Sequence, residues 1–121
     1  MPIDVVHLED DALDAKLVRE ALTGAGLECA ISHVTGRTAF ITALERRPDI
    51  VLADYALPDF DGSSAQRLLS ERWPDVPFVL VSGSLGEERA VETLRGGVTD
   101  YVLKHRLQPL PNVVRRATAT R

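Results

Sequence analysis

Five short apolar runs separated by amphipathic segments constrain the fold of this 121-residue chain more than any other feature. The runs lie at Ile3–Leu8, Glu28–Val34, Ile50–Ala53, Phe78–Val81 and Tyr101–Leu103. Largely apolar strands that alternate with helices are typical of a parallel sheet covered on both faces. The sequence therefore predicts an α/β fold of five βα units, (βα)5, around a doubly wound five-stranded parallel sheet. Right-handed crossovers leave few ways to connect these units.

Helical spacing of apolar residues marks the segment that follows each run. Ser63 and Gln66 have the spacing of a capping box at the start of the third predicted helix. Pro109 and Pro111 leave the start of the fifth helix open, because a proline inside a helix breaks its hydrogen-bond ladder. The predicted apolar faces of the five helices are formed by Leu13, Leu17, Val18, Ala21 and Leu22; by Phe40, Ala43 and Leu44; by Ala65, Leu68 and Leu69; by Ala90, Val91 and Leu94; and by Leu107, Leu110, Val114 and Ala117.

Length, charge and cysteine content exclude several classes of protein. The length corresponds to one domain, residues 1–121, and the polar tail after residue 114 is typical of a domain cut from a longer protein. A net charge of -4 predicts no direct nucleic-acid binding, which usually needs a basic face. No apolar stretch is long enough to cross a bilayer, and the N-terminus lacks signal-peptide character, so we expect a cytoplasmic protein. Cys29 is the only cysteine, which excludes an internal disulfide and a cysteine zinc cluster.

Polar side chains follow four of the apolar runs at the point where each predicted strand ends. The acidic cluster 9–11 follows the first run, Asp54 the third, Ser82 the fourth and Lys104 the fifth. These groups converge at the carboxyl edge of a parallel sheet, where open α/β sheets place their chemistry. Carboxylates with one lysine and one hydroxyl suit a divalent cation and a phosphoryl group. The set is a poor match for a hydrolytic triad or a zinc site.

The chain resembles the receiver domains of two-component response regulators, the CheY-like family. The resemblance is carried by LEDD after the first strand, LADYALPDFDG after the third, VLVSGS at the fourth and DYVLK at the fifth. These pieces stand in family order and at family spacing across essentially the whole chain. The resemblance implies a flavodoxin-like, CheY-like sheet with strand order 2-1-3-4-5.

The resemblance also implies a phosphoacceptor site. Asp54 would attack the phosphohistidine of a sensor histidine kinase or phosphotransfer protein and become an acyl phosphate, chemistry for which a carboxylate is a competent nucleophile. Glu9 and Asp10 would hold Mg²⁺ together with Asp54 and the backbone carbonyl of Ala56. Carboxylates so close together repel one another unless a cation lies among them.

A conformational switch follows from the same resemblance. Lys104 would pair with one phosphoryl oxygen and Ser82 would donate a hydrogen bond to another, which lets Tyr101 turn inward. The altered surface would comprise the fourth helix, the fifth strand and the fifth helix. The only chemistry expected is self-phosphorylation and slow autodephosphorylation, so the chain is not predicted to be an enzyme. The sequence does not identify the output partner or fused effector domain.

Several polar residues have a structural interpretation. Asp11 is better placed to cap the first helix than to bind metal, and Asp61 to cap the third. His7 lies inside the first strand and is expected to be a neutral packed histidine. His33 and His105 have no partner pattern and are expected on the surface.

Two positions depart from the family pattern. Gly83 stands where the family usually has alanine, which predicts a looser loop after the fourth strand. His105 follows Lys104 where many members have a proline, often with a cis peptide. A cis bond before a residue other than proline is expensive, so the reach of Lys104 toward the site is in question.

Three alternative functions remain open from the residues alone. A receiver-like binding module that is never phosphorylated would have the same fold. A magnesium-dependent phosphohydrolase with an aspartyl nucleophile would need a second aspartate at position 56, where the chain has Ala56. A flavodoxin-like nucleotide-binding protein would need a glycine-rich turn after the first strand, and that turn is acidic. A homodimer also remains open, because charges such as Glu88 and Arg95 on the fourth predicted helix suit either a salt-bridged dimer or a solvated face.

Overall fold

A parallel sheet of five strands forms the centre of the computed structural model, which describes residues 2–55, 60–83 and 97–119. The strands are β1 Ile3–Leu8, β2 Cys29–Val34, β3 Ile50–Ala53, β4 Phe78–Ser82 and β5 Asp100–Leu103. The helices are α1 Ala12–Gly24, α2 Gly36–Ala43, α3 Gly62–Arg72 and α4 Leu110–Ala119. The sheet order β2-β1-β3-β4-β5 confirms the predicted topology. None of these described helices combines the length and the apolar character that crossing a membrane requires.

The predicted strands are confirmed within one residue at each end, a difference that is ordinary for element boundaries. The fifth predicted helix corresponds to α4. The fourth predicted helix and Ala56 lie outside the described residues, so the expectations for them stay predictions.

Alternation along the strands divides the core into two apolar layers. Successive strand side chains point to opposite faces of the sheet, so each buried strand contributes to both layers. One layer packs under α2 and α3, and the other packs under α1 and α4. The first contains Val6, Leu8, Phe40, Leu44, Val51, Ala53, Ala65, Leu69, Phe78 and Leu80. The second contains Val5, Val18, Leu22, Ile50, Leu52, Val79, Val81, Val102, Leu110, Val113 and Val114.

Helix α1 buries Val18 and Leu22 as predicted, but not the whole of the predicted apolar face. Its buried residues are Ala15, Val18 and Leu22, whereas Leu13 is 64% exposed and Leu17 is 41% exposed. The two leucines therefore do not belong to the core, and their assignment to it was wrong. Ala15, which was not predicted, completes the buried face with Val18 and Leu22 at helical spacing.

The start of α3 is capped by Asp61 and not by the predicted capping box. Asp61 precedes the first helical residue, and its Oδ1 accepts a 2.8 Å hydrogen bond from Ser64 N–H. Ser63 lies inside the first turn, and Gln66 donates instead to Ser70 Oγ at 2.9 Å. The Asp61 cap is therefore confirmed, whereas the capping box assigned to Ser63 and Gln66 was wrong, because Asp61 caps the helix two residues earlier.

Gly62 allows α3 to begin against the end of β3. Its N–H donates a 3.1 Å hydrogen bond to the Tyr55 carbonyl. A Cβ at this position would lie 3.0 Å from Tyr55 Cα and 3.1 Å from Leu80 Cδ2, closer than side chains normally approach. The absence of a side chain therefore fixes how closely this helix approaches the strand that carries Asp54.

The two prolines frame the start of α4 without interrupting it. Pro109 precedes the first helical residue, and its carbonyl accepts a 3.0 Å hydrogen bond from Val113 N–H. Pro111 occupies the second helical position, where a backbone N–H would have no partner within the helix. The start that the sequence left open is therefore Leu110.

Candidate functional site

The alternation of β3 and β5 brings two of the candidate side chains to one face of the sheet. Leu52 and Val102 both pack in the layer under α1 and α4, and Asp54 and Lys104 each follow two residues later. Glu9 follows the last residue of β1, just as Asp54 follows β3 and Lys104 follows β5. Because these strands are parallel neighbours or near neighbours, the three side chains meet beside the first turn of α1.

Lys104 is the centre of an ionic cluster at this edge. Its Nζ lies 2.7 Å from Asp54 Oδ2, 2.8 Å from Asp14 Oδ2 and 2.8 Å from Glu9 Oε1. The contacts to Asp54 and Asp14 are hydrogen bonds, and the contact to Glu9 is an ion pair without hydrogen-bond angles. Burial alone would lower the pKa of Lys104, but its interactions with Asp14, Asp54 and Glu9 outweigh that effect and raise it. The ammonium is therefore charged at neutral pH.

Asp54 is held through both of its carboxylate oxygens. Oδ1 accepts a 3.0 Å hydrogen bond from Ser82 Oγ, and Oδ2 accepts one from Lys104. Asp54 and Ser82 are both buried, and Asp54 N–H donates to the Leu8 carbonyl at 3.1 Å. The backbone and side chain are thus both oriented before any ligand binds.

Glu9 is completely buried at the end of β1. Its Oε2 accepts a 3.1 Å hydrogen bond from Asp11 N–H, whereas Oε1 has no hydrogen-bond donor among the described residues. Burial raises the pKa of Glu9, and the interaction with Lys104 opposes that rise. A second cation near Oε1 would complete the interactions of this carboxylate.

The predicted magnesium ligands lie close together. Oxygen atoms of Glu9, Asp10 and Asp54 lie within 4.8 Å of one another. Mg²⁺ binds carboxylate oxygens and keeps several waters, so a cluster of this span fits it. The three carboxylates would hold the ion, and Ala56 lies outside the described ranges.

Asp14 belongs to the cluster, although its position near the start of the first helix did not indicate a role in the site. Asp11 caps the helix as predicted, since its Oδ1 accepts a 3.0 Å hydrogen bond from Asp14 N–H. The cap fixes the first turn so that the Asp14 side chain points toward Lys104. Spacing did not indicate this contact, because Asp10 precedes the helix and the direction of the Asp14 side chain depends on how α1 lies on the sheet.

The two histidines near the site differ in their surroundings. His7 is buried, and neither ring nitrogen has a hydrogen-bond partner in the part of the chain that the structure describes. Burial lowers the pKa of His7 to about 4, with further lowering from His33 and Lys104, so the ring is neutral as predicted. His33 is exposed as predicted, but it does have a partner, since its Nε2–H donates a 2.7 Å hydrogen bond to the Glu9 carbonyl.

The two residues predicted to form the switch, Ser82 and Tyr101, lie on the neighbouring strands β4 and β5. Tyr101 pairs with Leu80 in the register of β4 and β5, is partly buried and packs against the layer under α2 and α3. Ser82 follows Leu80 by two positions and therefore points to the same side. Ser82 thus contacts Asp54 at the end of the strand whose Leu80 pairs with Tyr101.

The two departures from the family pattern leave Lys104 in reach of the site. No peptide bond among the described residues is cis, and the lysine still contacts Asp54. Gly83 is exposed, and a Cβ there would meet no described atom within 4 Å. His105 is exposed, as predicted.

Comparison with known proteins agrees with this arrangement. A family model described as the response regulator receiver domain matches residues 5–115. A protein-glutamate methylesterase/protein-glutamine glutaminase of Archaeoglobus fulgidus is 38% identical over 103 residues, covering 83% of this chain and 29% of that protein. Luminescence regulatory protein LuxO of Vibrio campbellii is 34% identical over 116 residues, covering 92% of this chain and 25% of that protein.

A solved structure has the same fold over nearly the whole chain. The REC domain of AraT, a response regulator from Geobacillus stearothermophilus, superposes with a TM-score of 0.81 at 26% identity, covering 99% of this chain and 95% of that one. The chain spans less than a third of the length of the two curated relatives. It belongs to the response regulator receiver domains, the phosphoacceptor modules of two-component signalling.

Proposed function

We propose that Asp54 accepts a phosphoryl group from the phosphohistidine of a sensor histidine kinase or phosphotransfer protein. A carboxylate oxygen of Asp54 attacks phosphorus, and an oxygen–phosphorus bond forms as the nitrogen–phosphorus bond breaks. The electron pair of the broken bond returns to the imidazole of the donor, which takes up a proton. The product is an acyl phosphate at the carboxyl edge of the sheet.

One observation carries the proposal, and it is the environment of the Asp54 carboxylate. Lys104 Nζ lies 2.7 Å from one oxygen, and Ser82 Oγ lies 3.0 Å from the other. Phosphoryl transfer depends on placement of the nucleophile and on neutralisation of charge more than on elaborate covalent chemistry. The Lys104 ammonium and the Ser82 hydroxyl supply this placement and neutralisation once they turn from the Asp54 carboxylate to the phosphoryl oxygens.

Magnesium binding by Glu9, Asp10 and Asp54, with the carbonyl of Ala56, is part of this proposal. Mg²⁺, when bound, neutralises negative charge on the phosphoryl oxygens. The buried Glu9 orients the acidic set, and Asp10 is exposed where the ion would keep its waters.

The proposed output is a change in the surface around β5. After transfer, Ser82 donates to a phosphoryl oxygen, and Tyr101 moves into the space that the hydroxyl leaves. The shared face of Ser82 and Tyr101 supports this coupling. The affected surface comprises β5, α4 and the predicted fourth helix, which is also where a homodimer or an output partner would bind.

We assign the domain no turnover chemistry beyond self-phosphorylation and slow autodephosphorylation. It is proposed to act in the cytoplasm, as a single domain of a longer protein or beside a separate effector. The length of the curated relatives supports the first of these arrangements.

Intact-protein mass spectrometry after incubation with a small acyl phosphate donor tests the proposal. We expect wild type to gain one phosphoryl group with Mg²⁺ and none with a chelator, and Asp54→Asn to gain none. Asp11→Asn is the matched control, because asparagine also caps helices and Asp11 lies outside the proposed site. Equal labelling of wild type and Asp54→Asn would contradict the assignment.

A further inference from the structure

Lys104 and the proposed metal require two of the same carboxylates. Glu9 and Asp54 belong to the cluster that fits Mg²⁺, and both also contact the Lys104 ammonium at 2.7–2.8 Å. Asp14 contacts Lys104 at 2.8 Å but is not part of the metal cluster. Of the three carboxylates around the ammonium, Asp14 is therefore the one that metal binding leaves available.

Metal entry must displace the ammonium from its present position. Mg²⁺ and an ammonium carry like charges, and they repel strongly when they share the same carboxylates in a partly buried site. The Lys104 side chain is only 17% exposed, so moving it fully into water would also require it to leave its packing. A nearby carboxylate outside the metal cluster lets the ammonium withdraw without losing its ion pairing.

We propose that Asp14 is a positioning residue that holds Lys104 while Mg²⁺ binds Glu9 and Asp54. This inference rests on the proposed function. Asp14 sits in the first turn of a capped helix, and its backbone N–H is fixed by Asp11. The side chain is therefore presented from a rigid element, and it keeps Lys104 beside Asp54, ready for an incoming phosphoryl oxygen.

A double-mutant cycle on Mg²⁺ affinity distinguishes this role from a simple effect of surface charge. Mg²⁺ dissociation constants of the unphosphorylated domain are measured by calorimetry for wild type, Asp14→Asn, Lys104→Met and the double variant. We expect Asp14→Asn to weaken Mg²⁺ binding about fivefold in the wild-type background and less than about twofold with Lys104→Met, a coupling typical of contacting charges. Asp14→Glu keeps the carboxylate and is expected to restore most of the affinity.

Asp11→Asn is the matched control for charge, because it removes one negative charge from the same turn without a contact to Lys104. It is expected to change Mg²⁺ affinity less than Asp14→Asn does. Equal weakening by Asp14→Asn in both backgrounds would overturn the inference, and so would no weakening in either. Wild type that binds no Mg²⁺ and accepts no phosphoryl group would overturn the proposed function itself, an outcome visible without any variant.

Discussion

The two ends of the sheet both carry ion pairs, but they place them in different surroundings. At the carboxyl edge, Lys104 lies among three carboxylates, of which Glu9 is fully buried. At the amino edge, Arg47 contacts Asp75 at 2.6 Å, and the Asp75 side chain is 68% exposed. The distances are alike, yet water screens the exposed pair and not the buried cluster. Burial therefore decides which ion pairs matter to stability and to chemistry.

Loss of the central lysine is expected to give the largest effect. Lys104→Met leaves several carboxylates together in a partly buried site, and breaking such a cluster should lower the free energy of unfolding by about 3 kcal/mol. Urea unfolding at neutral pH with a chelator measures the change. Mg²⁺ should restore part of the loss, because it binds the folded carboxylates.

Arg47→Met is the matched change at the amino edge. Its partner, Asp75, is exposed to solvent, so the urea midpoint of Arg47→Met should not differ measurably from that of wild type. Equal shifts for Lys104→Met and Arg47→Met would break the comparison between the two edges.

The buried ring of His7, which has no hydrogen-bond partner among the described residues, extends the comparison of buried and exposed groups to the pH dependence of stability. The pKa of His7 falls from 6.5 to about 4 on folding, so the unfolded state binds more protons between these values. Stability from this group is complete above pH 6.5 and is lost as the pH falls toward 4, by about 3 kcal/mol at most. His7→Leu should remove this component, so its unfolding free energy should fall less than that of wild type over that window. Parallel pH profiles for the two proteins would refute the role of His7.

Among the variants expected to lose stability at the carboxyl edge, the smallest loss concerns packing beneath the charges. Gly62→Ala places a Cβ 3.0 Å from Tyr55 Cα and should destabilise the domain by about 1–3 kcal/mol. Gly83→Ala makes the same substitution where a Cβ meets no described atom, and should stay within about 0.5 kcal/mol of wild type. The urea midpoints of the two variants are compared. An unchanged midpoint for Gly62→Ala would contradict the close packing at this position.

The sheet and most of the site were predictable, because both follow from where apolar runs end in polar residues. Glu9, Asp54 and Lys104 each follow a strand directly, Ser82 ends one, and parallel topology brings strand ends together. Contacts that depend on rotation or register were not predictable. The pairing of Asp14 with Lys104 depends on how α1 is turned on the sheet.

The wrong expectations have similar causes. In α1, the predicted apolar face was too wide, and the contact with the sheet buries Val18 and Leu22 but leaves Leu13 and Leu17 exposed. In α3, two residue sets could cap the helix, and the backbone geometry at Asp61 decided between them. His33 binds a backbone carbonyl, a partner that leaves no signal in the sequence.

Identification of the modified residue tests the central claim most directly. Wild type is phosphorylated with a small acyl phosphate donor and Mg²⁺, reduced with borohydride, digested and sequenced by mass spectrometry. Reduction converts an aspartyl phosphate to homoserine and so marks its position permanently. The account predicts homoserine at position 54 alone. Reduction of Asp10 or another carboxylate, with Asp54 unmodified, would contradict it.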